Sequence, residues 1–351
     1  MVRVFNCIDL ILELEMILKL KPLSVILGFV SLLAIANSLT AEPTNSTEGA
    51  IAGNEVVKGY TTNSARNHTV INYWLVGDDG VVVIDAHWRI SEAKRALTHL
   101  RQTTDKPITA ILLTHGHTDH FGGLPMFADA AEGKVDIYAD EPTFRSIQND
   151  ELGFIDSRQD DFGTDFPQQI PVPNRIIKDD ITQLELAGIE IEAHRFIFNE
   201  APSTTVFYLP SQKALFTGDL VNVAITPVLY QGGLDPWIEQ LQELKDRFPD
   251  AEIIYPGHGQ PAPAEEAIDA ELDYLTSFRD LLSQALKNDS RVDNTERKLI
   301  KTTINEKFPN WRTSAGIATR DALLDQNIDW TLRGWRVENS NADSTPEDFQ
   351  N

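Results

Sequence analysis

The chain has 351 residues, enough for one large α/β domain with additions or for two domains, and its 42% apolar content with 16 Phe and 6 Trp excludes global disorder. With 53 acidic residues against 30 Lys and Arg, a formal net charge of −23, it repels phosphate backbones and anionic lipid surfaces, which argues against nucleic acid as a partner. A single cysteine, Cys7, excludes an intrachain disulfide and a thiolate cluster.

Near the N-terminus Lys19 and Lys21 precede an apolar run from Leu23 to Ala36 that is short for a bilayer span. The small, polar NSLTAEPTNSTEG follows, with cleavage points after Ser38 or Ala41. This is the layout of a secretory signal peptide over residues 1–41. It predicts a secreted or periplasmic protein without stable membrane association once the segment is removed, an uncleaved anchor being the alternative. Asp9, Glu13 and Glu15 make a poor positive leader, so Met16 is a second candidate start. Residues 42–54 read as a flexible lead-in.

From residue 55 to 262 strand-like and helix-like runs alternate. HTVINYWLVG, which His68 opens, and GVVVIDA flank a DDG turn and read as a hairpin. ISEAKRALTHLRQ has helical periodicity, with Ser91 near its start and His99 on its amphipathic surface. ITAILLTH is a near-continuous apolar run, as in a strand buried on both faces. Residues 150–180 are rich in Pro and Asp without clear periodicity and read as a long loop over a candidate active site. Phe154, Phe162 and Phe166 there either line an apolar pocket or anchor the loop. ITQLELAG, IEIEAHRFIF, TTVFYLP and KALFTGD follow as short strands. PWIEQLQELKDRF is a helix, with Asp235 as its cap, Pro236 in its first turn and Trp237 in the core. AEIIYPGHG is another strand. From Pro263 the pattern turns helical, with Ile268, Leu272, Leu275, Leu282 and Leu286 on one stripe. This helical region covers 263–338, and 339–351 reads as a disordered tail.

One stretch stands apart. LLTHGHTDHFGGLP, residues 112–125, sets His115, His117, Asp119 and His120 within six positions at the carboxyl end of the apolar strand. Strand C-termini are where open α/β folds place their sites. In an extended chain His115 and His117 point the same way. Three imidazoles and a carboxylate suit zinc, iron or manganese.

The pattern H-x-H-x-D-H after an apolar strand, with VVVIDA, LFTGDL and YPGHGQP in order, resembles the metallo-β-lactamase superfamily of metallohydrolases over residues 55–262. The resemblance implies an α/β fold, an αββα sandwich with a two-metal site at one edge. It implies that Asp85 orients the histidine loop, that His115 and His117 hold the first metal, that Asp119, His120 and His258 hold the second, and that Asp219 bridges them. Asp119 would also relay a proton. His87, two residues after Asp85, reads either as a donor behind the metal ligands or as a buried, hydrogen-bonded histidine.

One position departs from the common pattern. The family usually carries a histidine on the loop before the strand that leads to the bridging aspartate, and counting back from VFYLP puts Glu200 there. His194 lies six residues earlier, inside a strand, and reads as a surface histidine rather than a ligand. The EAP form resembles the alkylsulfatase subset, in which a glutamate takes this place. That subset also tends to carry a bridging glutamate and further C-terminal domains, whereas this chain has Asp219 and a short stretch after residue 262.

These ligands imply two divalent ions, zinc first and manganese or iron as alternatives, and hydrolysis of an ester, lactone or sulfate ester of a small molecule by a bridging hydroxide. The alternatives are a β-lactam amide hydrolase, an iron-dependent redox member of the superfamily, and a non-catalytic binding module. Neither a Ser-His-Asp order nor a P-loop competes.

Overall fold

The DDG turn joins two strands that lie side by side, Ile71–Val76 and Val81–Ile84, paired antiparallel with Tyr73 opposite Ile84. The computed structural model describes residues 49–51, 53–61, 70–231, 233–287, 291–314 and 316–342, with the side chains of Gly49 and of 337–342 left aside. The expected signal peptide, most of the lead-in, His68 and residues 343–351 therefore lie outside the described residues. All described residues belong to one unit, Thr47–Asn351.

Two sheets form among the described residues. The first has the order β1 (Gly49–Ile51), β2 (Val57–Thr61), β3 (Ile71–Val76), β4 (Val81–Ile84), β5 (Ile108–Leu112), β6 (Asp136–Asp140) and β7 (Arg175–Ile177). It is antiparallel through β4 and parallel from there to β7. The second runs from β8 (Ile181–Leu186) through β9 (Ile189–Ile197), β10 (Ser203–Leu209), β11 (Ala214–Gly218) and β12 (Ile253–Pro256) to β13 (Ala262–Pro263). Only its β11–β12 pairing is parallel.

The continuous apolar strands explain the layering. In β4, Val82 and Ile84 face the second sheet, where they meet Ile191, Phe207 and Phe216. Val81 and Val83 face outward, beneath α1 (Ile90–Thr103), with α2 (Thr118–Phe121) and α3 (Leu124–Ala130) beside it. The outer face of the second sheet, through Val206, Leu215 and Ile254, packs against α6 (Leu234–Arg247), α7 (Ala264–Ala285), α8 (Asn294–Lys307) and α9 (Arg320–Ala342). Strands covered on both faces lose the alternation of a half-exposed strand. The result is the expected helix–sheet–sheet–helix sandwich.

Several local expectations differ from the structure. Residues 49–51 of the lead-in pair with β2 as an edge strand, too short to leave a sequence signal. The segment 150–180 is not a structureless loop: after α4 (Glu141–Asn149) it forms α5 (Phe154–Phe162), a 3₁₀ turn at Gly163–Asp165 and β7. Helix α5 has no fully buried residue, so no apolar stripe marks it. It is instead started by the Asp150 carboxylate, which accepts from the N–H groups of Phe154 (2.8 Å) and Ile155 (2.9 Å). Asp235 does not cap α6; Gly233 holds that position, and Asp235 accepts a 2.7 Å bond from Trp335 Nε1 on α9. Helix α9 runs to Ala342, into the stretch expected to be tail. Asn327 on α9 also grips the 227–229 segment, accepting from the N–H of Leu229 at 3.0 Å and donating to the carbonyl of Pro227 at 2.8 Å.

Candidate metal centre

The site forms where loops from both sheets meet. Asp85 follows β4 with a left-handed backbone (φ 56°) that turns its carboxylate toward the loop after β5. Its Oδ1 accepts from the Thr114 N–H at 2.9 Å, and its Oδ2 accepts from Thr114 Oγ1 and from His120 Nδ1, each at 2.8 Å. Thr114 Oγ1, having given its proton to Asp85, lies 3.0 Å from His115 Nδ1. With both Nδ1 atoms engaged, His115 and His120 present Nε2 to the site, the usual arrangement for imidazoles bound to metal.

The second sheet supplies Asp219 after β11, His258 after β12, and Glu200 from the turn between β9 and β10. Backbone bonds stitch the two sides together, Thr205 N–H to Thr114 C=O at 2.7 Å and Ile71 N–H to Gly257 C=O at 2.8 Å, while Gly257 N–H donates to Gly218 C=O within the second sheet at 2.8 Å. Gly257 must lack a side chain, because a Cβ there would lie 2.2 Å from Asp219 Oδ1 and 2.8 Å from the His120 ring.

All seven expected ligands come together. Three groups each bring ligand atoms within 4.8 Å of one another: His115, His120 and Asp219; Asp119, His120 and His258; His117, Glu200 and Asp219. Asp219 and His120 are each shared between two of them, and His115 and His117, expected on one metal, fall in different groups. Nε2 of His115, His117 and His120 and Oδ1 of Asp219 are buried without a good hydrogen-bond partner among the described residues, His120 Nε2 and Asp219 Oδ1 facing each other at 3.4 Å. Buried polar atoms are ordinarily satisfied, and imidazole and carboxylate donors left open together fit a divalent cation.

The electrostatics point the same way. Burial would raise the Asp219 and Asp119 carboxyls, but His258 and His120 offset it and hold both below the usual range. In turn Asp219 and Asp119 overcome the burial of His258 and lift it to about 10, and His120 also rises. Burial, reinforced by neighbouring imidazoles, lowers His115, and burial lowers His117. Burial and the nearby Asp219 raise Glu200. The carboxylates thus draw positive charge into the centre.

Glu200 is presented by a built turn. Asn199 Oδ1 accepts from the Ala201 N–H at 3.2 Å and from Thr204 Oγ1 at 2.8 Å, while its Nδ2 donates to Gln240 Oε1 on α6 at 3.0 Å. His194 is remote from the cluster: its Nε2 pairs with Glu192 at 3.0 Å and its Nδ1 lies 3.3 Å from Arg247. It is nevertheless buried rather than on the surface, because its side of β9 passes under the end of α6, where it meets Phe248. His87 is also buried, and neither ring nitrogen has a hydrogen-bond partner among the described residues. Its positive φ of 62° directs the ring toward Tyr60, and burial together with Arg95 lowers it to about 3.

Two residues of the centre carried no signal in the sequence. Asn222 donates Nδ2 to Glu200 Oε2 at 3.2 Å and to the Asp219 carbonyl at 3.1 Å. Glu271 on α7 is fully buried beside Asn222, and burial, with Glu200 and Asp219 nearby, raises it well above the carboxylate range.

A cavity of about 260 Å³ opens on the cluster and is lined by His117, Asp119, Glu200, Asp219 and His258 together with Phe154, Tyr230, Ile317 and Trp330. Of the three phenylalanines of the 150–180 segment, only Phe154 reaches it. Phe162 stands edge-on to Trp88, and Phe166 is buried as an anchor.

The metallo-beta-lactamase superfamily model matches residues 66–258, more than half of the chain. The chain belongs to the metallo-beta-lactamase superfamily. Within it, the chain is 25% identical over 226 residues to a linear primary-alkylsulfatase of Pseudomonas sp., a match covering 55% of this chain and 42% of that protein. It is 20% identical over 262 residues to the metallo-beta-lactamase type 2 of Bacillus cereus, covering 70% of this chain and 93% of that one. Its fold is similar to that of a double mutant of the sec-alkyl sulfatase PisA1, with a TM-score of 0.60, 20% identity, and coverage of 85% of this chain and 52% of the other. The chain thus spans less than half the length of the alkylsulfatase it matches in sequence.

Proposed function

We propose that this superfamily member is a metal-dependent hydrolase of an ester-type bond in a small molecule, with a sulfate ester as the first candidate substrate. The observation that carries the reading is the convergence of seven metal-binding side chains on one cavity, four of them with ligand atoms left without a partner among the described residues. Glu200 in the place of the usual histidine and the likeness to alkylsulfatases favour a sulfate ester over a carboxylic ester or lactone.

Divalent ions at the cluster, zinc first and manganese or iron as alternatives, would polarise the scissile group and lower the pKa of water from 15.7 toward about 7. The chain's own residues supply the rest. Asp85 fixes the tautomer and orientation of His120, and Asn222 holds Glu200. Asp119 is the most exposed carboxylate of the cluster, its side chain 19% accessible against 2% for Asp219, and it lies 3.2 Å from His258. It is placed to accept a proton from the attacking water and return it to the leaving oxygen.

The test is turnover of the full chain, metal content measured in parallel, on sulfate, carboxylic, lactone, phosphate and β-lactam substrates. Sulfate-ester hydrolysis that disappears with a chelator and returns with metal is expected. Turnover confined to β-lactams, or oxygen consumption without hydrolysis, would replace this reading. The apolar run before residue 41 supports export; expression with the native N-terminus should then yield a chain starting near Leu39 or Glu42, and a soluble product retaining Met1 or Met16 would oppose it.

A further inference from the structure

Part of the cavity wall is a continuous aromatic arc. Phe154 stands 5.7 Å from the His117 ring, Tyr230 lies 5.6 Å from Phe154, and Trp330 of α9 lies 5.5 Å from Tyr230. The arc is held from behind: Arg333 lies over Tyr230 and donates to its carbonyl at 3.1 Å, and Asn327 secures the preceding backbone. Helix α9, beyond the residues that the superfamily model matches, therefore supplies part of the pocket wall.

Among the lining residues Arg158 is the one Lys or Arg. Its guanidinium lies 5.1 Å from the Trp88 ring, and Nη1 pairs with Asp161 at 2.5 Å. Its Nε is buried with no hydrogen-bond partner among the described residues, and the other titratable side chains of the lining, His117, Asp119, Glu200, Asp219 and His258, belong to the candidate metal centre. An unpaired N–H of this kind suits a planar or tetrahedral oxyanion. At about 260 Å³ the cavity lies just below the usual range for ligand pockets.

Resting on the hydrolase reading above, we infer that the pocket selects a compact organic anion, an aryl or short-chain ester bearing negative charge, with Arg158 reading the charge and the Phe154–Tyr230–Trp330 arc limiting the organic part. A long linear chain would extend past this arc, so only its first carbons would gain from the pocket. Arg158 acts here as a specificity determinant, separate from the metal ligands.

Calorimetric binding to the metal-loaded full chain tests this without turnover. The probes are phenylmethanesulfonate, which cannot hydrolyse because carbon replaces the ester oxygen, its neutral counterpart benzyl methyl sulfone, and monomeric dodecanesulfonate. Phenylmethanesulfonate should bind more tightly than dodecanesulfonate. Arg158→Gln should weaken phenylmethanesulfonate at least about tenfold, the loss of one charged hydrogen bond, while leaving the neutral sulfone and the metal content unchanged. Trp330→Ala should narrow or reverse the preference against the dodecyl chain. Unchanged sulfonate affinity in Arg158→Gln, or dodecanesulfonate bound as tightly as the phenyl compound by the wild type, would overturn the inference. The expected binding pattern without turnover of any ester would support the pocket's selectivity and count against the hydrolase reading alone.

Discussion

Asp85 accepts a 2.8 Å hydrogen bond from His120 Nδ1 while also holding the Thr114 backbone and hydroxyl, so one buried carboxylate sets the orientation of the histidine loop. Partners of this kind are worth about 10–100-fold in metal affinity. Asp85→Ala should weaken metal binding by that order and also lower thermal stability, since three buried donors lose their acceptor. Competition titration against a chelator, alongside thermal unfolding of the metal-free protein, separates the two effects. Wild-type affinity in the variant would mean that the loop orients itself.

Glu200 and His194 make a clean contrast. Glu200 joins His117 and Asp219 in one candidate ligand group, whereas His194 is spent on Glu192 and Arg247 under α6. Glu200→Ala should lose metal and activity. His194→Ala should keep both and cost about 1–3 kcal/mol of stability from broken buried hydrogen bonds. Glu200→His should retain metal and move the pH–rate profile to lower pH, because exchanging an anion for a neutral ligand adds net positive charge that favours deprotonated water. Metal loss in His194→Ala with Glu200→Ala unaffected would reverse the assignment.

The metal-free chain should become less stable as pH rises from 7 to 10. Burial would depress His258, but Asp219 and Asp119 lift it to about 10, above its ordinary 6.5, and His120 is raised in the same way. A histidine that binds its proton more tightly when folded contributes stability fully present below about 6.5 and lost as pH climbs through about 10. The lowered Asp119 and Asp219 contribute stability that is lost only on acidification below their ordinary 3.8, outside this window. Bound metal competes with protons for the same atoms, so loading should flatten the decline. Thermal unfolding of chelator-treated and metal-loaded protein at several pH values checks this; a rising midpoint in the metal-free series would contradict the charge balance.

Much of this architecture was legible in the sequence because its signals are local. VVVIDA and ITAILLTH show strands covered on both faces, and the crowding of His115, His117, Asp119 and His120 has no packing explanation. The place of Glu200 followed from counting back along β10 under the family resemblance. What stayed hidden depends on tertiary placement. The outer side of β9 begins exposed at Glu190 and ends buried at Phe196 as it passes beneath α6, so parity alone misplaced His194 on the surface. Helix α5 is held by the Asp150 carboxylate and by Asp165, which accepts from the Ser91 N–H and hydroxyl at 2.8 Å each, and neither contact leaves a periodic trace. Asn222 and Glu271 are ordinary polar residues until folding sets one against Glu200 and buries the other behind it.

The central claim is that seven residues hold a shared metal centre tied together by Asp219. The most direct measurement is divalent metal per chain, by elemental analysis, in the purified full chain and in Asp219→Ala. The wild type should carry two ions per chain, and the variant should lose both together with turnover, because Asp219 belongs to two of the three ligand groups. A wild-type chain that binds no divalent metal on reconstitution, or a variant that keeps two ions and full activity, would contradict it.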